Sequence, residues 1–180
     1  MITRDIRHMK GNNMNSIMNR RSIRKFTPQP VEREKLIRVL RAAMQAPSAK
    51  NRQPWEFIVV TDSDTKAALA GASPYGGFTA GAPCAIVPLA VTGDFPGESP
   101  WWCEDLSAAV QNMLLQLEEE GLGGCWIGIW PDRERVENVR KIFGLDSGLT
   151  PFCIIACGYK GQERPFEDRF DESRVHWERY

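Results

Sequence analysis

The sequence predicts a layered fold of the α+β or α/β class, in which helices cover a sheet. Short apolar runs of strand type alternate with longer segments whose apolar residues recur every three or four positions. The chain has 180 residues, of which 42% are hydrophobic and 26% are charged. These values are typical of a globular protein and allow a single domain with a sizeable core.

The chain is predicted to begin its ordered part with a helix, a strand and a second helix. The first helix covers residues 32–46, because its apolar residues share one face, and Pro47 ends it. The apolar run at 57–60 is of strand type. The helical pattern that follows, at 65–70, is weaker.

The centre of the chain is predicted to form a strand between two loops. A glycine-rich loop covers residues 71–83, and a second loop covers 95–100. The apolar run at 85–91 is of strand type, although it contains Pro88, which has no N–H to donate. We therefore expect Pro88 at the edge of the sheet or in a bulge.

The second half opens with the longest predicted helix, which covers residues 102–120 and ends at Gly121. The strand at 123–130 carries glycines, which indicate that another segment approaches its backbone closely. A helix over 131–143 and a last core strand over 152–157 complete the pattern. The aspartate at the start of the last helix is expected to cap it.

Both ends differ from the body, which is predicted to be one domain over residues 16–180. Residues 1–15 are polar and lack the apolar core of a secretion signal, so we expect a cytoplasmic protein with a frayed leader or a natural start at Met14. Residues 161–180 are polar with scattered aromatics. They indicate an arm that wraps a second subunit, or a strap on the chain's own surface.

Composition disfavours several classes of function. Basic and acidic residues balance at 23 each, so no nucleic acid or anionic membrane is expected as a partner. No apolar run approaches the ~20 residues that span a bilayer. The five cysteines form no C-x-x-C pair and indicate buried free thiols, and with two histidines no metal site is expected.

Common catalytic motifs are also missing from the sequence. It contains no phosphate loop of the G-x-x-x-x-G-K-[ST] type, no complete G-x-G-x-x-G and no G-x-S-x-G. A chain this poor in histidine is not expected to perform acid–base catalysis alone. If it is an enzyme, a cofactor is expected to carry the reaction.

Two polar segments are the candidates for a cofactor site. Residues 20–24 offer three arginines and Ser22, which could clamp a phosphate or could form a solvated basic face. Residues 47–55 carry Ser48, Asn51 and Gln53 directly before a strand. That loop could reach the same ligand, or its polar groups could simply face water.

Taken in order, these segments resemble the nitroreductase family of flavin mononucleotide (FMN) enzymes over nearly the whole chain. The resemblance implies a central, mostly antiparallel sheet flanked by helices, in a homodimer that exchanges its C-terminal arms. The helix at 102–120, with Met113, could pack on its symmetry mate or in its own core. The matching motifs are Arg-Arg-Ser-Ile-Arg at 20–24, Ala-Pro-Ser-Ala-x-Asn-x-Gln-Pro-Trp at 46–55, Asp-Leu-Ser-Ala-Ala-Val-Gln-Asn-Met-Leu-Leu at 105–115, Gly-Leu-Gly-Gly-Cys-Trp-Ile-Gly at 121–128, and Gly158-Tyr159.

The resemblance also implies the residues that bind FMN. Arg20 and Ser22 are expected at the phosphate and Arg24 near the pyrimidine end of the ring. Arg169 resembles the basic residue of the tail that closes on the phosphate. Many relatives carry a second basic residue two places earlier, where this chain has Glu167, so Arg164 or Arg174 could make the tail contact instead. The implied cofactor-binding residues are Arg20, Arg21, Ser22, Arg24 and Arg169, the partner-facing loop residues Pro47, Ser48, Ala49, Asn51 and Gln53, and Trp126, Ile127 and Gly128 along the ring.

The implied reaction needs no catalytic side chain. NADH or NADPH would pass hydride to flavin N5, and an electron-poor acceptor such as a nitroaromatic or a quinone would then take it in a ping-pong cycle. The alternatives are reductive dehalogenation or heterocycle oxidation, with aromatic residues of the loops at 71–83 and 95–101 shaping a lid. A non-catalytic flavin-binding protein is a further alternative, and Glu32 and Glu34 weaken a nucleic-acid binder based on the basic segment.

Overall fold

The structure is a computed structural model that describes residues 15–92 and 101–180. The predicted leader, except for Asn15, lies outside these residues, as do Met14 and the predicted loop at 95–100.

The four predicted helices are present, and a one-turn helix precedes them. Asp62 caps one of them by accepting a hydrogen bond from Thr65 N at 2.8 Å, and Asp132 accepts one from Arg135 N at 3.2 Å, as predicted for that residue. Gly144, with φ 63°, ends the last helix. The helices are α1 (Asn15–Asn19), α2 (Arg33–Met44), α3 (Ser63–Gly71), α4 (Trp102–Glu119) and α5 (Arg133–Phe143).

The described strands form one sheet in the order β1–β2–β5–β3, and β4 pairs with β2 beside β5. All these pairings are antiparallel. The prediction of a mostly antiparallel sheet flanked by helices is therefore confirmed. The strands are β1 (Trp55–Val60), β2 (Cys84–Val91), β3 (Leu122–Gly128), β4 (Leu149–Pro151) and β5 (Cys153–Tyr159).

Helices cover both faces of the sheet. On one face, Leu106 of α4 belongs to the same core cluster as Ile86 of β2. On the other face, Val136 of α5 belongs to the same cluster as Val87. Consecutive strand residues point to opposite faces, so both faces of β2 need apolar side chains. This explains its unbroken apolar run.

Pro88 lies in an internal strand, so the expectation of a sheet edge was wrong. The alternative of a bulge is confirmed, because residues 87–88 of β2 face the three residues 152–154. β2 pairs with β5 at residues 84–86 and with β4 at 89–91, and Pro88 stands between these two partners. At that point Phe152 N donates to Pro88 O at 3.0 Å, and Phe152 O accepts from Trp130 N at 3.0 Å. The hydrogen-bond ladder between β2 and its neighbours β5 and β4 is thus interrupted at Pro88, which has no N–H to donate.

The apolar stripe of α4 is buried within its own chain. Leu106, Met113 and Leu117 have no exposed surface. The alternative of an internal core helix is therefore the correct one, and a dimer contact through Met113 is wrong. Among the described residues, no helix combines the length and the apolar character needed to cross a membrane.

Candidate functional site

An extended segment that includes residues 20–24 runs along the outer edge of β3. Ser22 forms a bridge with Gly124 of that strand, and Ile23 N donates to Gly124 O at 3.0 Å. Ile23 is buried, with 2% of its surface exposed. The polar residues on either side of Ile23 are therefore fixed to the sheet.

Glycine makes this close approach possible. A Cβ atom at Gly123 would lie 2.6 Å from Cγ1 of Ile23, which is closer than two carbons can approach. A Cβ atom at Gly124 would lie 2.8 Å from Cδ1 of Leu117 in α4. The prediction that a segment approaches these glycines is confirmed, and the approaching segment carries the arginine cluster.

The arginine cluster opens onto a cavity of ≈ 570 Å³, which we call the arginine cavity. Guanidinium groups and a hydroxyl around one space are the donors that a phosphate group prefers. Residues from the N-terminal segment and from the C-terminal tail meet here, although they are far apart in sequence. The lining residues are Arg20, Arg21, Ser22, Arg24, Arg164, Pro165, Phe166, Glu167 and Arg169.

Arg21 ties these two segments together. Its Nε donates to Pro165 O at 2.9 Å, and its Nη1 donates to Met18 O and Arg20 O, both at 2.8 Å. The guanidinium carbon lies 5.6 Å from the centre of the Phe166 ring. Most of its donors are thus committed to the protein, while Nη2 is buried and has no hydrogen-bond partner among the described residues.

The thiol of Cys125, a residue of β3, lies near the arginine cluster. Burial raises the pKa of its thiol above the usual value, whereas Arg24, a hydrogen bond with Ser22, and Arg20 oppose this shift. The thiol therefore lies within reach of the phosphate-type donors. It is expected to remain protonated at neutral pH, because the direction of the shift is upward.

The predicted ring-side segment continues from this point along β3. From Gly124 to Gly128 the strand spans about 13 Å. Trp126 packs against Phe152, with ring centres 5.4 Å apart, and Ile127 is buried at 3% exposure. Their side chains serve the core, so this segment can offer a ligand only its backbone and the exposed Gly128.

Residues 47–53 of the predicted loop at 47–55, which we call the 47–53 loop, have a strained backbone. Lys50, Asn51 and Gln53 have φ values of 55°, 54° and 51°, which side-chain-bearing residues rarely adopt. Gln53 N donates to Ser48 Oγ at 2.9 Å, and Gln53 Nε2 donates to Asn51 Oδ1 at 3.0 Å. Both amides are exposed. The Asn51 amide nitrogen, a donor, and the Gln53 amide oxygen, an acceptor, remain available to a ligand.

Asp105 of α4 anchors this loop from inside the protein. Its Oδ1 accepts a hydrogen bond from Ala49 N at 2.8 Å, and 5% of the residue is exposed. The second oxygen, Oδ2, is buried and has no partner in the described chain. A buried carboxylate makes strong hydrogen bonds to backbone N–H groups, so Asp105 holds the loop in its strained conformation.

The loop and the arginine cavity are separate within one chain. None of the predicted loop residues Pro47, Ser48, Ala49, Asn51 and Gln53 lines the cavity. Neither do Trp126, Ile127 and Gly128. The structure thus brings together the predicted N-terminal residues and Arg169, but not the two other groups.

The predicted lid aromatics divide into two kinds. Tyr75 and Trp101 are exposed, at 72% and 57%, and Phe78 lies 6.0 Å from the guanidinium carbon of Arg24. Trp102 instead packs in the fold, with its ring centre 5.0 Å from that of Trp130. Phe95 lies outside the described residues.

Comparison with known proteins identifies the chain's relatives. Residues 17–73 and 72–159 match the model of the nitroreductase family. The chain belongs to this family. The predicted resemblance is therefore confirmed.

Individual relatives resemble this chain over nearly its whole length. A protein of Methanothermobacter thermautotrophicus, provisionally named NADH dehydrogenase/NAD(P)H nitroreductase, is 36% identical over 169 residues, which are 93% of this chain and 87% of its own. A solved structure from Clostridium acetobutylicum is 46% identical, with a TM-score of 0.88, and covers 92% of this chain and 99% of its own. An FMN-dependent nitroreductase from Clostridium difficile is 34% identical, with a TM-score of 0.85, and covers 92% of this chain and 98% of its own.

Of the two alternative cations in the tail of this nitroreductase-family chain, the structure favours Arg164. Arg164 lines the arginine cavity, whereas Arg174 does not. Arg174 instead pairs with Asp171, with Nε 3.1 Å from Oδ2. Glu167 also lines the cavity, beside Arg169.

Sequence reasoning missed the role of Asp105, although a signal for it exists. Asp105 stands four residues before Ala109 and eight before Met113, both of which are fully buried. An acidic residue on the apolar face of a helix must find a partner inside the protein. Its partner, Ala49 N, lies in another segment and could not be read from the helix alone.

Removing the Asp105 carboxylate is expected to weaken FMN binding about tenfold in Asp105→Ala, because the strained loop would relax. Asp105→Asn keeps an oxygen acceptor for Ala49 N and should stay within threefold of the wild type. Fluorescence titration with FMN measures both values, and thermal unfolding without FMN checks the fold. Equal losses in the two variants would show that the acceptor at this position is not what holds the loop.

Proposed function

We propose that this chain is an FMN-dependent oxidoreductase that passes hydride from NADH or NADPH to an electron-poor acceptor, such as a nitroaromatic or a quinone, by a ping-pong mechanism. The observation that carries the proposal is the arginine cavity, in which arginines from both ends of the chain surround one space. The FMN-dependent nitroreductase from Clostridium difficile supports FMN as the cofactor, and the provisional name of the Methanothermobacter thermautotrophicus relative supports NADH or NADPH as the donor.

The donor set fits the phosphate group of FMN. Arg20, Arg164 and Arg169 would supply charge-assisted hydrogen bonds, and the Ser22 hydroxyl a further one. Arg21, at the same cavity, has one buried guanidinium nitrogen that finds no partner within residues 15–92 and 101–180. A dianionic phosphate would satisfy these donors better than water does.

The remaining predicted residues would bind the ring system. Arg24 would lie near its pyrimidine end, where a cation favours the reduced form of the cofactor. The exposed amides of Asn51 and Gln53 pair one donor with one acceptor, which suits the imide edge of that ring. The backbone of residues 126–128 would lie along the ring.

Bound FMN would supply the redox chemistry by accepting hydride from the nicotinamide and passing it to the acceptor. The protein's own contribution would be orientation and charge. The exposed aromatics Tyr75 and Trp101 offer flat apolar surface for a planar acceptor. In this scheme, no side chain has to transfer a proton.

We further propose that the active form is a homodimer with exchanged C-terminal arms. The 47–53 loop does not line the arginine cavity of its own chain, which supports a site completed by a second copy. The tail residues Phe170, Trp177 and Tyr180 are 74%, 80% and 106% exposed, which is costly for aromatic side chains. Packing of the arm on a partner would bury them.

A visible spectrum tests the proposed function. Protein mixed with FMN and freed of excess ligand should be yellow, and anaerobic NADH or NADPH should bleach it. A nitroaromatic or a quinone should then restore the colour. Protein that retains no FMN would overturn the proposal, and colour that returns only with a halophenol would favour dehalogenation instead.

The same yellow preparation tests the assembly. Light scattering should give twice the 20.4 kDa mass of one chain. The mass of a single chain, with FMN bound, would contradict the homodimer but not the cofactor.

A further inference from the structure

In the part of the chain that the structure describes, one acidic side chain lines the arginine cavity. Glu167 stands among five arginines and pairs with Arg169, with Oε2 3.3 Å from Nη2. An adjoining cavity of ≈ 440 Å³ shares Glu167 and Arg169 and adds Asp168. The Asp168 carboxylate is engaged with the backbone, since its Oδ1 accepts from Phe170 N at 3.0 Å. Glu167 is thus the acidic residue that pairs with a cavity arginine through its side chain.

The tail is tied to the body of the protein directly before Glu167, so Glu167 remains near the arginine cavity. Gly161 N donates to Lys25 O at 2.9 Å, and Arg21 Nε donates to Pro165 O at 2.9 Å. The Phe166 ring, directly before Glu167, lies against the Arg21 guanidinium. Rotation of the Glu167 side chain can move its carboxylate, but it cannot remove the charge from the mouth of the cavity.

We infer that Glu167 competes with the phosphate of FMN for Arg169 and thereby keeps the cofactor exchangeable. This inference rests on the proposed function. A phosphate dianion that enters the cavity must displace the carboxylate from Arg169, and it then remains within the field of a like charge. Both effects destabilise the bound state, so they accelerate dissociation of FMN.

The exposure of the two paired side chains sets the expected size of the effect on FMN affinity. The side chains of Glu167 and Arg169 are 70% and 74% exposed, so water and salt screen their charges. A change of a few fold in affinity is therefore expected rather than of orders of magnitude. The effect should also shrink as salt is added.

The test compares Glu167→Gln with the wild type in the full-length protein. Glutamine keeps the shape of the side chain and removes the charge. FMN should bind about fivefold more tightly and dissociate about fivefold more slowly, and 0.5 M NaCl should reduce this difference. Riboflavin, which has no phosphate, should bind with less than a twofold change.

Glu163→Gln is the matched control, because Glu163 lies in the same tail but does not line the arginine cavity. Its FMN affinity should stay within twofold of the wild type. An unchanged FMN affinity in Glu167→Gln would overturn the inference, as would equal tightening of riboflavin or equal tightening in Glu163→Gln. Failure of the wild type to bind FMN at all would instead overturn the proposed function, and this inference with it.

Discussion

Replacing Arg20 with glutamine and Ser22 with alanine in one variant is expected to weaken FMN binding about a thousandfold. Hydrogen bonds to a charged group contribute ~1.5–3 kcal/mol each, so the loss of both donors corresponds to about 4 kcal/mol. Ser22 sits on the sheet edge through its bridge to Gly124, so the phosphate would lose a fixed donor and not a mobile one. Equilibrium titration followed by flavin fluorescence measures the change.

The control variant carries the same two types of substitution at positions away from the arginine cavity. Arg133 and Ser63 are exposed at the starts of α5 and α3, and neither lines the arginine cavity. Arg133→Gln combined with Ser63→Ala should leave FMN affinity within twofold of the wild type. Riboflavin affinity should fall less than threefold in the Arg20 and Ser22 variant. A wild-type affinity for FMN in that variant would disprove the phosphate site.

The contact between residues 20–24 and β3 shows which features could be predicted from the sequence and which could not. The residue types at 20–24 indicated a phosphate clamp, and the glycines of β3 indicated a close approach. Only the structure joins these two predictions, because Ile23 is the group that the glycines accommodate. Local periodicity carries no information on a contact between segments a hundred positions apart.

Short and irregular elements were harder to predict for a related reason. β4 has three residues, too few to show a period of two, and it was missed. Pro88 was expected at an edge or in a bulge, and the choice stayed open because a single strand cannot reveal that its neighbour is interrupted at Phe152. In each case a partner strand decides the structure, and the partner is invisible in the local sequence.

Replacing Gly123 with alanine is expected to damage the fold and the site together. The new Cβ would lie 2.6 Å from Cγ1 and 2.8 Å from Cβ of Ile23, which is 2% exposed and has little room to turn. β3 cannot retreat, because Gly123 pairs with Gly158 of β5. The segment that carries Ser22 must therefore move, and it strains or loses the hydrogen bond from Ile23 N to Gly124 O.

Overpacking of this kind costs ~1–3 kcal/mol, and the unsupported edge adds to it, so we expect Gly123→Ala to lower the free energy of unfolding by about 3 kcal/mol. FMN affinity should fall at least tenfold, because Ser22 and its neighbouring arginines are displaced. Gly71→Ala is the control, since a Cβ there meets nothing within 4 Å. Adding Ile23→Ala to Gly123→Ala should cost less than the sum of the two single changes, because the contact with Cγ1 would be gone and only that with Cβ would remain. Additive losses, measured by urea unfolding, would mean that these two residues do not compete for the same space.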